Sequence, residues 1–126
     1  PNGAGKTTLF NLIAGTVRAP GRVETALGVL QVDTAACAAG MAVSVVARPP
    51  AITWCAASAP DGPNQCTARV AALQFIGDEV EVDLDCAGLR LRMVADPYTR
   101  LGVGADARIC LVPERLVVVP RNAMDA

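Results

Sequence analysis

Residues 79–93 read Glu-Val-Glu-Val-Asp-Leu-Asp-Cys-Ala-Gly-Leu-Arg-Leu-Arg-Met, and this stretch decides the fold class. Val80, Val82 and Leu84 alternate with Glu79, Glu81 and Asp83, a period of two that turns one face of a strand to a core and the other to water. After Cys86-Ala87-Gly88, Leu89, Leu91 and Met93 alternate with Arg90 and Arg92, which makes the second arm of a hairpin. Outer positions are acidic on one arm and basic on the other, so the arms are expected to pair their charges.

The same period runs outward from this hairpin, from Leu27 onward, and predicts further strands at 41–47, 67–75, 106–112 and 115–119, with a loop at 56–65. Apolar residues are 52% of the 126 and aromatics 3%, so the core must be built of Val, Leu, Ile and Ala. The 11 basic and 12 acidic side chains nearly cancel, which removes the footprint of a nucleic-acid binder. Apolar runs such as Leu116–Val119 fall far short of the ~20 residues that span a bilayer, and the first residues do not read as a signal peptide. With no histidine and no CxxC pair, the sequence offers no zinc site and no Cys-His or Ser-His nucleophile. Cys37, Cys55, Cys66, Cys86 and Cys110 are expected as small core hydrophobes, Trp54 as core filler and Asp96-Pro97-Tyr98 as a turn.

A repeat runs through the β region. Gly40, Val45, Pro49 and Ile52 recur 64 residues later as Gly104, Ile109, Pro113 and Leu116, and Gly28-Val29-Leu30 recurs 60 residues later as Gly88-Leu89-Arg90. In the second copy two strands precede Gly88. In the first copy the matching positions hold a segment of another kind, so the first unit is expected to lack its opening strands.

That segment is PNGAGKTTLFNLIAGTVRAPG. Lys6 to Ala14 places Leu9, Leu12 and Ile13 at helical spacing, Gly15 stands where a helix end wants positive φ, and Pro20-Gly21 breaks the chain. Its first seven residues match all but the leading glycine of the phosphate-binding loop G-x-x-x-x-G-K-[ST]. Gly3 and Gly5 let backbone N–H groups curl around an anion, Lys6 reaches the outer phosphates and the Thr7 hydroxyl holds Mg²⁺. Hydrolysis also needs a carboxylate at the end of a second strand. The nearest candidate, Asp78-Glu79, follows a run broken by Gln74 and Gly77 and reads as the turn that opens the Val80–Leu84 strand. No catalytic residue is assigned.

The string PNGAGKTTLFNLIAG resembles the Walker A segment of ATP-binding-cassette (ABC) transporter ATPases. Residues from Leu27 on resemble the transport-associated OB (TOBE) domain that follows the ATPase in importer subunits, through Ala47-Arg48-Pro49-Pro50, Leu111-Val112-Pro113-Glu114 and Ala72-Leu73-Gln74-Phe75-Ile76-Gly77. The LSGGQ signature, Walker B pair and switch histidine of that family have no counterpart here. By this resemblance the chain is identified as a truncated ABC importer subunit, a Walker A segment fused to a TOBE domain. The fold implied is mainly β, one N-terminal P-loop helix followed by a duplicated OB-like small barrel or sandwich. Its divisions are 1–23 (P-loop remnant), 24–120 (β domain, with units at about 27–55 and 66–119) and a tail at 121–126.

The resemblance implies that Asn2, Gly3, Ala4, Gly5, Lys6, Thr7 and Thr8 contact the phosphates of ATP, with Thr7 on Mg²⁺. It implies ATP binding coupled to solute import, without hydrolysis by this chain alone. Implied partners are membrane permease subunits and a second ATP-binding subunit, on the cytoplasmic face of the cell membrane, and a homodimer through the β region stays open. The alternative is a non-enzymatic TOBE module that regulates, senses a ligand or dimerises.

Overall fold

The computed structural model of the chain describes residues 10–35, 37–55, 62–98 and 101–121. Ten strands lie in these segments: β1 Asn11–Ala19, β2 Arg22–Thr25, β3 Gly28–Gln31, β4 Ala42–Ala47, β5 Ile52–Trp54, β6 Gln65–Ile76, β7 Glu79–Cys86, β8 Leu89–Ala95, β9 Asp106–Leu111 and β10 Leu116–Pro120. Short 3-10 turns at Pro49–Ala51 and Pro113–Arg115 lead into β5 and β10. The strands form two five-stranded antiparallel sheets, ordered β10-β4-β1-β2-β3 and β5-β9-β6-β7-β8.

These two orders are one order. Replacing β1–β5 by β6–β10, and β10 by β5, turns the first sheet into the second. The molecule is therefore two like halves, each of which sends its fifth strand into the other half's sheet. A matching detail explains the repeated glycines. β1 and β6 carry bulges beginning at Val17 and Val70, and there Gly40 and Gly104, at φ 88° and 90°, donate to the carbonyls of Val17 and Val70 at 2.7 and 2.8 Å. A side chain would disfavour that left-handed conformation.

The first half is not missing its opening strands; β1 and β2 supply them. The helix expected from Lys6 to Ala14 is corrected over its described part, since Asn11–Ala14 are strand; residues 1–9 lie outside the described residues. A helix of roughly ten residues is marginal alone. The same residues also carry a period of two, with Asn11, Ile13 and Val17 buried and Leu12 and Ala14 exposed, and pairing with β4 and β2 decides in favour of strand. Gly15 is not a helix cap. It lies mid-strand, where a Cβ would come within 2.6 Å of Val23 Cγ1 and 2.7 Å of the Glu24 carbonyl. The structural register of the third strands also differs from the sequence match: Leu30 pairs with Val23 as Leu91 pairs with Leu84, so Leu30 answers to Leu91 rather than Arg90.

The 79–93 hairpin is as the alternation predicts. Asp83 faces Arg92 and Asp85 faces Arg90, each pair closed by a 2.7 Å ion pair. Inner residues of both sheets, among them Ile13, Val45, Leu84, Leu91, Met93, Ile109 and Leu111, are all but fully buried, each contributing about 1.5–3 kcal/mol by leaving water. Trp54 packs partly buried against this core. Of the five cysteines only Cys86 is buried; Cys37, Cys55, Cys66 and Cys110 are half-buried, with Cys37 and Cys66 packed against the core from its margin.

Candidate functional site

Two buried asparagines fix the places where the halves meet. The Asn11 side chain donates from Nδ2 to the carbonyls of Ala47 (2.9 Å) and Arg92 (3.0 Å), and its Oδ1 accepts from the Arg92 N–H (2.7 Å). Asn64 does the same from the other side. Its Nδ2 donates to Leu111 (3.0 Å) and Gln31 (2.9 Å), and its Oδ1 accepts from the Gln31 N–H (2.6 Å). Each amide stands in for a strand residue and ties the third strand of one half to the opposite sheet. Gln31 and Arg92 mark where the chain leaves these contacts.

Just beyond them lie two equivalent clefts. One, of about 440 Å³, sets Val32 and Asp33 against Pro113, Glu114 and Leu116 of the other half. Its counterpart, of about 340 Å³, sets Met93, Val94 and Asp96 against Pro50, Ile52 and Trp54. Glu79, which follows the turn and begins β7, lines this second cleft. The Trp54 indole N–H is buried there without a partner among the described residues. Among those residues, both clefts are edged by carboxylates and by no arginine.

A third cavity, of about 360 Å³, lies between the β1–β2 turn and the segment after β3, lined by Val17, Pro20, Gly21, Asp33, Thr34 and Cys37. In the second half the β6–β7 hairpin is longer and Ala95 stands where Thr34 does. Thr34 is 5% exposed. Its Oγ1 accepts from the Gly21 N–H at 2.7 Å, which leaves its own hydrogen to donate, and its carbonyl accepts from the Cys37 N–H at 2.9 Å. Asp33 is the single charged residue among those described on this wall, with Oδ1 held by the Ala35 N–H at 2.9 Å. Such a cavity can take a small ligand that accepts a hydrogen bond from a neutral hydroxyl.

A fourth cavity, of about 180 Å³, lies beside the β6 bulge over Arg92. There the guanidinium already bridges Asp83 (2.7 Å) and Glu81 (3.6 Å). The hydrogen bond to Asp83 holds its pKa above the ordinary arginine value against partial burial.

Asn2, Gly3, Ala4, Gly5, Lys6, Thr7 and Thr8 lie outside the described residues. The sequence reading missed Asn11, Asn64 and Thr34. Asn11 begins β1 and Asn64 immediately precedes the equivalent strand β6, a correspondence that becomes visible only when β1 is known to be a strand. No helix among the described residues is long and apolar enough to cross a membrane.

The TOBE domain family matches residues 45–119. No curated protein sequence matches the chain. Among solved structures, the fold is similar to the cytoplasmic molybdate-binding protein ModG in a crystal form with molybdate bound. The TM-score is 0.72 at 18% identity, over 90% of this chain and 97% of that one. The family's match runs from β4 through β10, more than half the chain, and its two-sheet architecture is the one described above: the chain belongs to the TOBE domain family.

Proposed function

We propose that the chain is a non-enzymatic, ligand-sensing TOBE module whose ligand is a small oxyanion. The observation that supports this is the agreement in fold with molybdate-bound ModG along nearly the whole of both chains. Within this chain the Thr34 cavity suits that ligand best. It offers a buried hydroxyl donor and one carboxylate, whereas the paired clefts are edged by two carboxylates each, Asp33 with Glu114 and Glu79 with Asp96. An oxyanion held there would accept from the neutral Thr34 hydroxyl, beside the Asp33 carboxylate. The module would act in the cytoplasm, and a homodimer through the β region belongs to the same proposal.

A second reading rests on the string PNGAGKT: nucleotide binding by Asn2–Thr8, with Mg²⁺ on Thr7, and permease subunits and a second ATP-binding subunit as partners at the inner face of the membrane. The structure fits it poorly, since Asn11–Ala14, where the helix behind such a loop would continue, are strand.

One calorimetric series separates the two. Molybdate, sulfate and MgATP are titrated into the whole chain and into Thr34→Val and Lys6→Ala. Saturable heat with molybdate that is lost in Thr34→Val and kept in Thr34→Ser supports the sensor. Heat with MgATP alone, lost in Lys6→Ala, replaces it with the nucleotide reading.

A further inference from the structure

Cys66, near the start of β6, and Cys86, at the end of β7, bring their sulfurs to 2.9 Å. That is inside the usual contact distance of two thiols and about 1 Å from the ~2.05 Å of a disulfide bond. The Cys86 sulfur is also held toward the Thr67 carbonyl at 3.3 Å, which fixes it beside its neighbour. The first half shows that the fold does not require sulfur at these stations. Ile13, facing Val45 as Cys66 faces Ile109, and Thr25, closing the β2–β3 hairpin as Cys86 closes β7–β8, stand there instead.

We propose that Cys66 and Cys86 form a disulfide, a covalent modification site that joins the start of β6 to the end of β7 when a small-molecule disulfide is available as oxidant. Cys66 is half-buried and Cys86 only 3% exposed, so Cys66 reacts first. Its thiolate attacks one sulfur of the oxidant, forming a mixed disulfide and expelling one thiolate. The Cys86 thiolate then attacks Cys66 Sγ, closing the internal bond and expelling the second. Two protein thiols are oxidised, one disulfide is reduced to two thiols, and the two protons pass to the released sulfurs. Burial, with Cys86 and Cys55 nearby, keeps the Cys66 thiol protonated far above the ordinary range, so the reaction is slow at neutral pH and quickens in alkali.

The whole folded chain is incubated with oxidised glutathione at neutral pH and in mild alkali, quenched in acid and analysed by intact mass and peptide mapping. The expected product has lost two hydrogens, titrates three thiols in denaturant instead of five, and yields a cross-linked Cys66–Cys86 peptide. Cys66→Ser and Cys86→Ser abolish it, while the Cys55→Ser, Cys110→Ser double variant retains it. A linked Cys55–Cys110 peptide in its place, stable glutathione adducts without ring closure, or five persisting thiols would each overturn the proposal. The wild-type peptide map decides even if a serine variant misfolds.

Discussion

Asn11 and Asn64 are counterparts: one carries Arg92 of the second half onto Ala47 of the first, the other carries Gln31 of the first half onto Leu111 of the second. Each is 4% exposed and spends its whole amide on backbone groups. Losing such a side chain strands buried donors and acceptors, at about 1–3 kcal/mol for each group left unpaired. Asn11→Ala is therefore expected to cost about 2–4 kcal/mol in urea unfolding. Asn64→Ala should cost more, because Asn64 sits at φ 65°, which alanine tolerates less well. Asn64→Asp keeps the acceptor but loses both donors to carbonyls and should also destabilise.

Gly15 gives a test whose sign separates strand from helix. In a helix, alanine for glycine stabilises by up to ~1 kcal/mol. In β1 the new methyl would meet Val23, the Glu24 carbonyl and Thr25 within 2.6–2.9 Å, so Gly15→Ala should lower stability by about 1–3 kcal/mol through overpacking. A thermal melt of the two proteins checks it.

Truncation tests whether the opening segment belongs to the β fold. Removing residues 1–22 deletes β1, which lies between β4 and β2, and should abolish cooperative unfolding.

Stability should fall in alkali. The folded state holds the Cys66 thiol, and less strongly Cys55, protonated above the ordinary value of 9.0, chiefly through burial. Above that pH the unfolded chain ionises first and binds fewer protons than the folded one, so unfolding free energy decreases as pH rises. Below it the contribution is fully present. Denaturant midpoints from pH 7 to 10.5 should decline more steeply in the parent than in Cys66→Ala, under reducing conditions.

The hairpin at 79–93 was legible because its alternation and its charges point to one answer, and Asp83–Arg92 and Asp85–Arg90 meet as the pattern requires. The duplication was legible at Gly40 and Gly104, where backbone conformation restricts the residue. The first half's opening was not. Asn11–Val17 carries helical and strand periods at once, and only the bare edges of β2 and β4 choose between them. Thr34 and the two asparagines were hidden for a related reason: their value lies in contacts with residues distant in sequence, and a polar residue beside a turn carries no mark of its burial.

The exchange of fifth strands has a consequence for synthesis. β4 meets β1 early, but its other edge is covered by β10, the last of the described strands to be made. While the ribosome is still producing the second half, that edge is a vacancy of the kind to which neighbouring nascent chains adhere. The partner that fills it in the finished molecule is tethered to the same polypeptide, so a local concentration advantage, rather than affinity alone, decides which strand arrives.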